Sequence, residues 1–186
     1  MHTRDKLWHS FCRLLETRPL RSITVQDITA EAGLTRQAFY RYFHTRDELL
    51  FWQYDRSLSR VLGDAPLTWQ EMVERMLRLL QQDAHLYRRM ARQSDDDTLA
   101  QIMEAYTISL YTRIIRCQTG HPPDEELSLL LQLYVSGGIA FAMRWVRGGM
   151  QRPAQEMCRL FEAALSPRLA QALTAAAIPS SVLSAN

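Results

Sequence analysis

Residues 24–50, TVQDITAEAGLTRQAFYRYFHTRDELL, read as two short helices about a glycine-centred turn with a third helix behind them. Thr24 can N-cap the first helix, and Asp27 three residues on completes a capping-box pattern. Ile28, Ala32, Leu34, Phe39 and Tyr42 fall where two crossing helices bury their contact faces. Gly33 stands at the bend, where positive φ is cheap for glycine alone. Thr35 can cap the second helix, whose outward positions Arg36, Gln37, Tyr40, Arg41 and His44 carry donors and cationic groups. No carboxylate occurs from Thr35 to Arg46, which suits a helix facing phosphates and base edges. The pair alone also fits a plain helical core, because apolar residues at this spacing serve both.

The flanks narrow that choice. An amphipathic helix from Arg4 to Glu16 precedes the pair, and the FYRYF run of residues 39–43 is followed by Thr45, Arg46 and Asp47 opening the next helix. With these features the first 60 or so residues resemble the TetR/AcrR (tetracycline-repressor-like) family. The resemblance implies DNA contacts from Lys6, Thr24, Thr35, Arg36, Gln37, Tyr40, Arg41, Tyr42, His44 and Arg46. Arg36 and Gln37 would read base edges, whereas Tyr40 and Arg46, with Lys6, Thr24 and His44 as lesser contributors, would hold phosphates. Tyr42 reads as either core or base-facing. Thr29 departs from the small residue the family usually carries there.

A length of 186 residues, 47% hydrophobic and 23% charged, fits a small DNA-binding head plus one larger core. The net charge is +2, unevenly spread: residues 1–60 hold ten Lys+Arg against seven Asp+Glu, and the remainder twelve against thirteen. Affinity for DNA must therefore come from where the charges point. Lys6 is the sole lysine, and the arginines suit bidentate contacts with phosphate and guanine. Arg4, Asp5, Lys6 and Arg13 interrupt the N-terminus, so no signal peptide is expected and the cytoplasm is the expected location. The longest apolar stretch, Leu127 to Met143, is broken by Ser128, Gln132 and Ser136 and reads as a buried helix, not a membrane span. Cys12, Cys117 and Cys158 are odd in number and far apart, so buried free thiols are expected and no disulfide framework.

Helical periodicity runs throughout and predicts an all-α chain: a helix-turn-helix DNA-binding domain over 1–46, a helical ligand-binding and dimerisation domain over 47–175, and a flexible tail over 176–186. The first helix ends near Arg18-Pro19, and the fourth, capped by Thr45 with Glu48, runs to about Gly63. Thr68 with Glu71 and Ser94 with Asp97 repeat the capping pattern, with a shorter helix about Leu86 to Ala91 between them. Asp95, Asp96 and Asp97 complement a helix dipole better than they suggest a metal site, and Cys117 with His121 is weak as a ligand pair, so no metal and no cofactor are expected. A helix from about Leu99 to Cys117 closes at Gly120, and Pro122-Pro123 start the long apolar one.

That long helix is apolar on almost all sides, more than one layer of a monomer can cover. A second copy is the natural cover, with Gly137, Gly138, Phe141, Trp145, Met157, Leu160 and Phe161 as the interface; an interior helix of a single chain is the alternative. In TetR-like proteins the last two helices form a four-helix dimer interface, and the resemblance favours the first reading. The tail, with Arg144-Trp145 ahead of Gly148-Gly149 and a helix opened by Pro153, looks like the subgroup that includes an activator of a dihydroxyacetone-kinase operon. Trp69, Met72, Met76, Met103, Tyr106, Tyr111 and Tyr134 are the residues expected about a small-molecule effector, although such stripes are more often plain core.

The expected function is a homodimeric, ligand-responsive transcriptional repressor on a pseudo-palindromic operator in double-stranded DNA, with an activator, or a helical adaptor without DNA binding, as alternatives. No nucleophile elbow, P-loop, dinucleotide fingerprint or His/Cys constellation supports an enzyme.

Overall fold

Leu7, Phe11 and Leu15 recur at four-residue spacing and all are buried, so Thr3–Thr17 forms α1 with that stripe inward. Arg18, extended at ψ 149 ahead of Pro19, ends it, and a 3-10 turn over Leu20–Ser22 leads on. α2 (Val25–Glu31), α3 (Arg36–Tyr40) and the first half of α4 (Arg46–Leu62) complete the head. The computed structural model describes residues 2–91 and 97–183. The cap expected at Ser94 and the carboxylates Asp95 and Asp96 lie outside the described residues, and Asp97 makes no side-chain cap hydrogen bond.

The body comprises α5 (Trp69–Gln82), α6 (Ala84–Ala91), α7 (Thr98–Thr119), α8 (Glu125–Arg147), α9 (Ala154–Ala163), α10 (Pro167–Thr174) and α11 (Ser180–Leu183). Among the described residues there is no strand; Leu67 and Ile178 form an isolated bridge. α4 passes from head to body, packing on α1 at one end and on α5, α7 and α11 further along. α5 lies on α9, and α7 lies on α8 and α10, around a core that is continuous with that of the head.

Several arginines are spent inside the fold. The last carbonyls of a helix have no intrahelical donor, and a guanidinium fork supplies several. Arg75 donates to the carbonyls of Val61 at 3.3 Å and Leu62 at 2.9 Å, closing α4. Arg147 donates to Ala91 O at 2.9 Å, closing α6, and Arg89 of α6 donates to the carbonyls of Leu15 and Glu16 at the end of α1. These side chains tie helix to helix and are not available to DNA.

The expected flexible tail is packed over residues 176–183. Ile178 is fully buried and exchanges both backbone hydrogen bonds with Leu67, at 2.7 and 3.0 Å, while Leu183 is buried against the core. Ile178, Val182 and Leu183, set in a stretch of small residues, anchor it. α10 was not anticipated as a separate helix: Ser166 caps it by accepting from Leu169 N–H at 3.3 Å, with Pro167 at its first position. The thiols also depart from expectation, Cys158 being buried, Cys12 half-buried and Cys117 exposed.

Candidate nucleic-acid interface

α2, which leads into the turn before α3, is capped at both of its ends. Thr24 Oγ1 accepts from Asp27 N–H at 3.2 Å while the Asp27 carboxylate accepts from Thr24 N–H at 2.8 Å, the reciprocal capping box. The Arg18 guanidinium, 2.8 Å from Asp27, and then the Thr24 hydroxyl and N–H hold that carboxyl well below the usual carboxylate range. At the other end Gly33 N–H donates to Ala30 O at 3.1 Å and Leu34 N–H to Thr29 O at 2.9 Å, the paired bonds of a Schellman motif. Gly33 has φ +63 and open space where a Cβ would sit, so backbone freedom is the reason for glycine there. Thr29 is buried, and its hydroxyl is satisfied by Val25 O at 3.0 Å and Gln26 O at 3.1 Å.

Thr35 accepts from Ala38 N–H at 3.1 Å and starts α3. Arg36, Gln37 and Tyr40 project from it into solvent, Tyr40 being 50% exposed. The recognition helix is shorter than the sequence suggests: Arg41 and Tyr42 lie on a turn and His44 on a bend. The reason is Thr45, which must be extended (φ −136, ψ 163) to cap α4 by accepting from Glu48 N–H. All three residues are nonetheless exposed on the same segment. Tyr42 is not in the core; Phe43 takes that place at 4% exposure, and the Arg4 guanidinium stands 5.3 Å over the Tyr42 ring. Thr24 and Lys6 are exposed as well.

Arg46 departs from its expected role. Its side chain is 18% exposed and its guanidinium donates to Leu20 O at 2.6 Å and Ile23 O at 3.4 Å while pairing with Asp47 at 3.0 Å. It fastens the 3-10 turn to α4 and has little reach towards a phosphate. Gln26, not singled out from the sequence, is exposed on α2 and accepts from the Arg36 guanidinium. Its position one residue past the start of a capped helix, facing the turn, is the signal that could have identified it.

Of the expected effector residues, Met76, Met103, Tyr111 and Tyr134 line one narrow cavity of about 60 Å³ among α5, α7 and α8. Trp69, Met72 and Tyr106 are absent from its lining: the first two are core, and Tyr106 meets Tyr54 of α4 edge-on at 5.4 Å. Such a space takes roughly two waters at ~30 Å³ each, far less than the several hundred Å³ of usual ligand pockets.

α8 and α9 leave a broad apolar face uncovered. Leu129 is 60% exposed, Leu133 74% and Leu160 44%, with Gly137 beside them and Gly138, Phe141 and Phe161 half-buried. Trp145 and Met157, expected in the interface, face the interior instead: the indole N–H donates to Arg152 O at 3.1 Å, and Met157 is fully buried. The turn at Gly148 and Gly149 folds the chain back so that the loop before α9 covers Trp145. Leu129 and Leu133 were missed, although with Gly137 they form a four-residue repeat. An 18-residue window of α8 has mean hydropathy 1.4, long and apolar enough to cross a bilayer, whereas Ser128, Gln132 and Ser136 make the stretch read as a buried helix. Leu127, Leu131, Val135 and Val146 seat it in the body.

Residues 12–51 match the family model described as "Bacterial regulatory proteins, tetR family", and residues 67–166 match "Transcriptional regulator C-terminal region". Over 83 residues the chain is 29% identical to the HTH-type dhaKLM operon transcriptional activator DhaS of Lactococcus lactis subsp. lactis (strain IL1403), covering 44% of each chain. It is 38% identical over 61 residues to the HTH-type transcriptional regulator EthR of Mycobacterium tuberculosis, covering 33% of this chain and 26% of that one. The aligned segments span less than half the length of these curated relatives. Among solved structures, the dihydroxyacetone kinase operon activator DhaS superposes with a TM-score of 0.58 at 21% identity, over 90% of this chain and 96% of that one. A TetR-family repressor FadR of Thermus thermophilus, solved with lauroyl-CoA, superposes with a TM-score of 0.50 at 16% identity, over 87% and 92%.

Proposed function

Because the chain belongs to the TetR family of DNA-binding transcriptional regulators, which are not enzymes, we propose that it acts as a homodimeric, ligand-responsive repressor. Each subunit would set α3 into one of two successive major grooves of a pseudo-palindromic operator, about 34 Å apart. The observation that carries this reading is the exposed row Thr35, Arg36, Gln37, Tyr40 and Arg41 beyond the Gly33 turn, rich in donors and free of carboxylates. The uncovered leucines of α8 and α9 support the dimer, since a second copy would remove them from water.

An effector would enter the body beside Met76, Met103, Tyr111 and Tyr134 and favour one head spacing, a coupling of roughly 1–3 kcal/mol. The cavity there must widen to admit it. An activator is the second reading, favoured by the name of the DhaS relative. Cytoplasmic location follows from a DNA partner. The test is a gel shift against the DNA upstream of the protein's own and neighbouring genes, with transcription measured from the same fragment. Salt-dependent binding with lower transcription supports a repressor, higher transcription supports an activator, and absence of binding at low salt overturns both.

A further inference from the structure

A larger cavity, of about 230 Å³, lies where the head meets the body, between α1, α4, α6 and α7. Its walls include the aromatic rings of Trp8, Tyr54 and Tyr87 and the apolar side chain of Ile102. Gln53 Nε2 donates to Ser57 Oγ at 3.1 Å, and Gln53 Oε1 is buried without a hydrogen-bond partner. Such a group costs free energy unless an occupant donates to it. At the rim stands Asp83, close enough to Tyr87 that its carboxylate, after burial, helps push the Tyr87 hydroxyl to a higher pKa. Among the described residues lining the cavity there is no Lys, Arg or His. The walls therefore offer acceptors, one carboxylate and aromatic rings, and no cationic side chain.

We propose that this cavity binds a small organic cation, a protonated amine on an apolar body, with Asp83 as counter-ion and Gln53 Oε1 as hydrogen-bond acceptor. An ammonium group at the rim would meet a carboxylate, and ring faces attract cations through their quadrupole. The apolar part would lie against Ile102 and Tyr54. The volume equals roughly eight waters at ~30 Å³ each, which fits one substituted ring and excludes long acyl chains. This site goes beyond the regulatory reading and does not depend on it.

The test is calorimetric titration of the full chain, without DNA, against protonated benzylamine, benzyl alcohol and benzoate, with Trp8 fluorescence as a second signal. Benzylammonium should bind most tightly, benzyl alcohol about tenfold more weakly, and benzoate least. Asp83→Asn should lower benzylammonium affinity about tenfold and leave benzyl alcohol unchanged. It should melt as the wild type does, since Asp83 is the C-cap of α5, a position that tolerates asparagine. Ile102→Trp, which fills the cavity, should abolish binding of all three; if that variant does not fold, Asp83→Asn decides alone. No heat with any probe, equal affinity for all three, an unaffected Asp83→Asn, or preference for benzoate, as when Gln53 presents Nε2 inward, would overturn the proposal.

Discussion

The guanidinium of Arg36, the first residue of α3, donates to the side-chain Oε1 of Gln26 on α2. The two helices of the DNA-binding motif thus meet through polar side chains on their exposed surface as well as through Ile28 and Phe39 beneath. An arginine carries five N–H donors in a fixed fork, so a bond to Gln26 aims the rest and leaves them free for guanine or phosphate.

Replacing Arg36 or Gln37 by alanine should cost ~1–3 kcal/mol at one position of each half-site. Gln26→Ala should cost less and relax base preference at the position that Arg36 reads, because it removes the aim and leaves the reader. Isotherms on single-base operator variants check this. An equal loss on every sequence would show that these residues touch phosphates alone.

Arg46→Ala should behave differently from Arg41→Ala. Arg46 satisfies the carbonyls of Leu20 and Ile23, so its loss should lower stability by ~1–3 kcal/mol and leave the salt dependence of DNA binding nearly unchanged. The exposed Arg41, if it holds a phosphate, should on removal shrink the slope of log K against log salt by about one unit. Denaturant unfolding and salt titrations of the two variants separate these roles; a reduced slope for Arg46→Ala would return it to the DNA surface.

The uncovered face of α8 and α9 predicts that Leu133→Asp gives a folded monomer. Its side chain is 74% exposed in the single chain, so a charge there is costly only when a partner desolvates it. Phe141→Asp should also dissociate the dimer but at some cost to folding, since Phe141 packs edge-on against Phe161 at 6.1 Å. Met157→Ala should leave association intact and destabilise each subunit by ~2–4 kcal/mol, as a buried truncation does. Sedimentation and thermal melting distinguish the three. A wild type that sediments as a monomer at micromolar concentration while binding a palindrome tightly would contradict the interface.

Acid should loosen the motif through Asp27. Its carboxyl is held below the ordinary value of 3.8 by Arg18 first and by Thr24 next. A depressed folded-state pKa means that the contribution is complete above the ordinary value and fades as pH falls below it towards the folded one. Thr24→Ala, which removes half of the capping box, should cost about 1 kcal/mol at neutral pH. Asp27→Asn should flatten the stability profile below about pH 4 relative to wild type; unchanged acid unfolding would assign the acid sensitivity elsewhere.

The DNA-binding head was legible because its signals are local. A capping box, a glycine at positive φ and a second capping threonine act within a few residues, and the chain from Thr24 to Leu50 specifies them without help from elsewhere. The same holds for the helix starts at Thr45 and Thr68. Side-chain roles that depend on distant partners were not legible. Arg46 reads as a phosphate ligand until Leu20 and Ile23, more than 20 residues earlier, come within reach of its guanidinium. Nothing in the residues around Arg75, Arg89 and Arg147 marks them as the donors that close the ends of other helices.

The body shows the same division. Composition alone makes the stretch from Leu127 to Met143 apolar on almost all sides and leaves open whether a second copy or the chain's own interior covers it. Which residues stay uncovered was decided by how α9 folds back, burying Trp145 and Met157 and leaving Leu129 and Leu133 in solvent. Residues 176–186 read as a flexible tail, yet Leu67 and Ile178 exchange two backbone hydrogen bonds across more than a hundred residues. Periodicity and capping are properties of neighbouring residues, which the sequence states directly. The pairing of one helix end, groove or backbone edge with another depends on chain closure over long separations, and only the tertiary structure decides it.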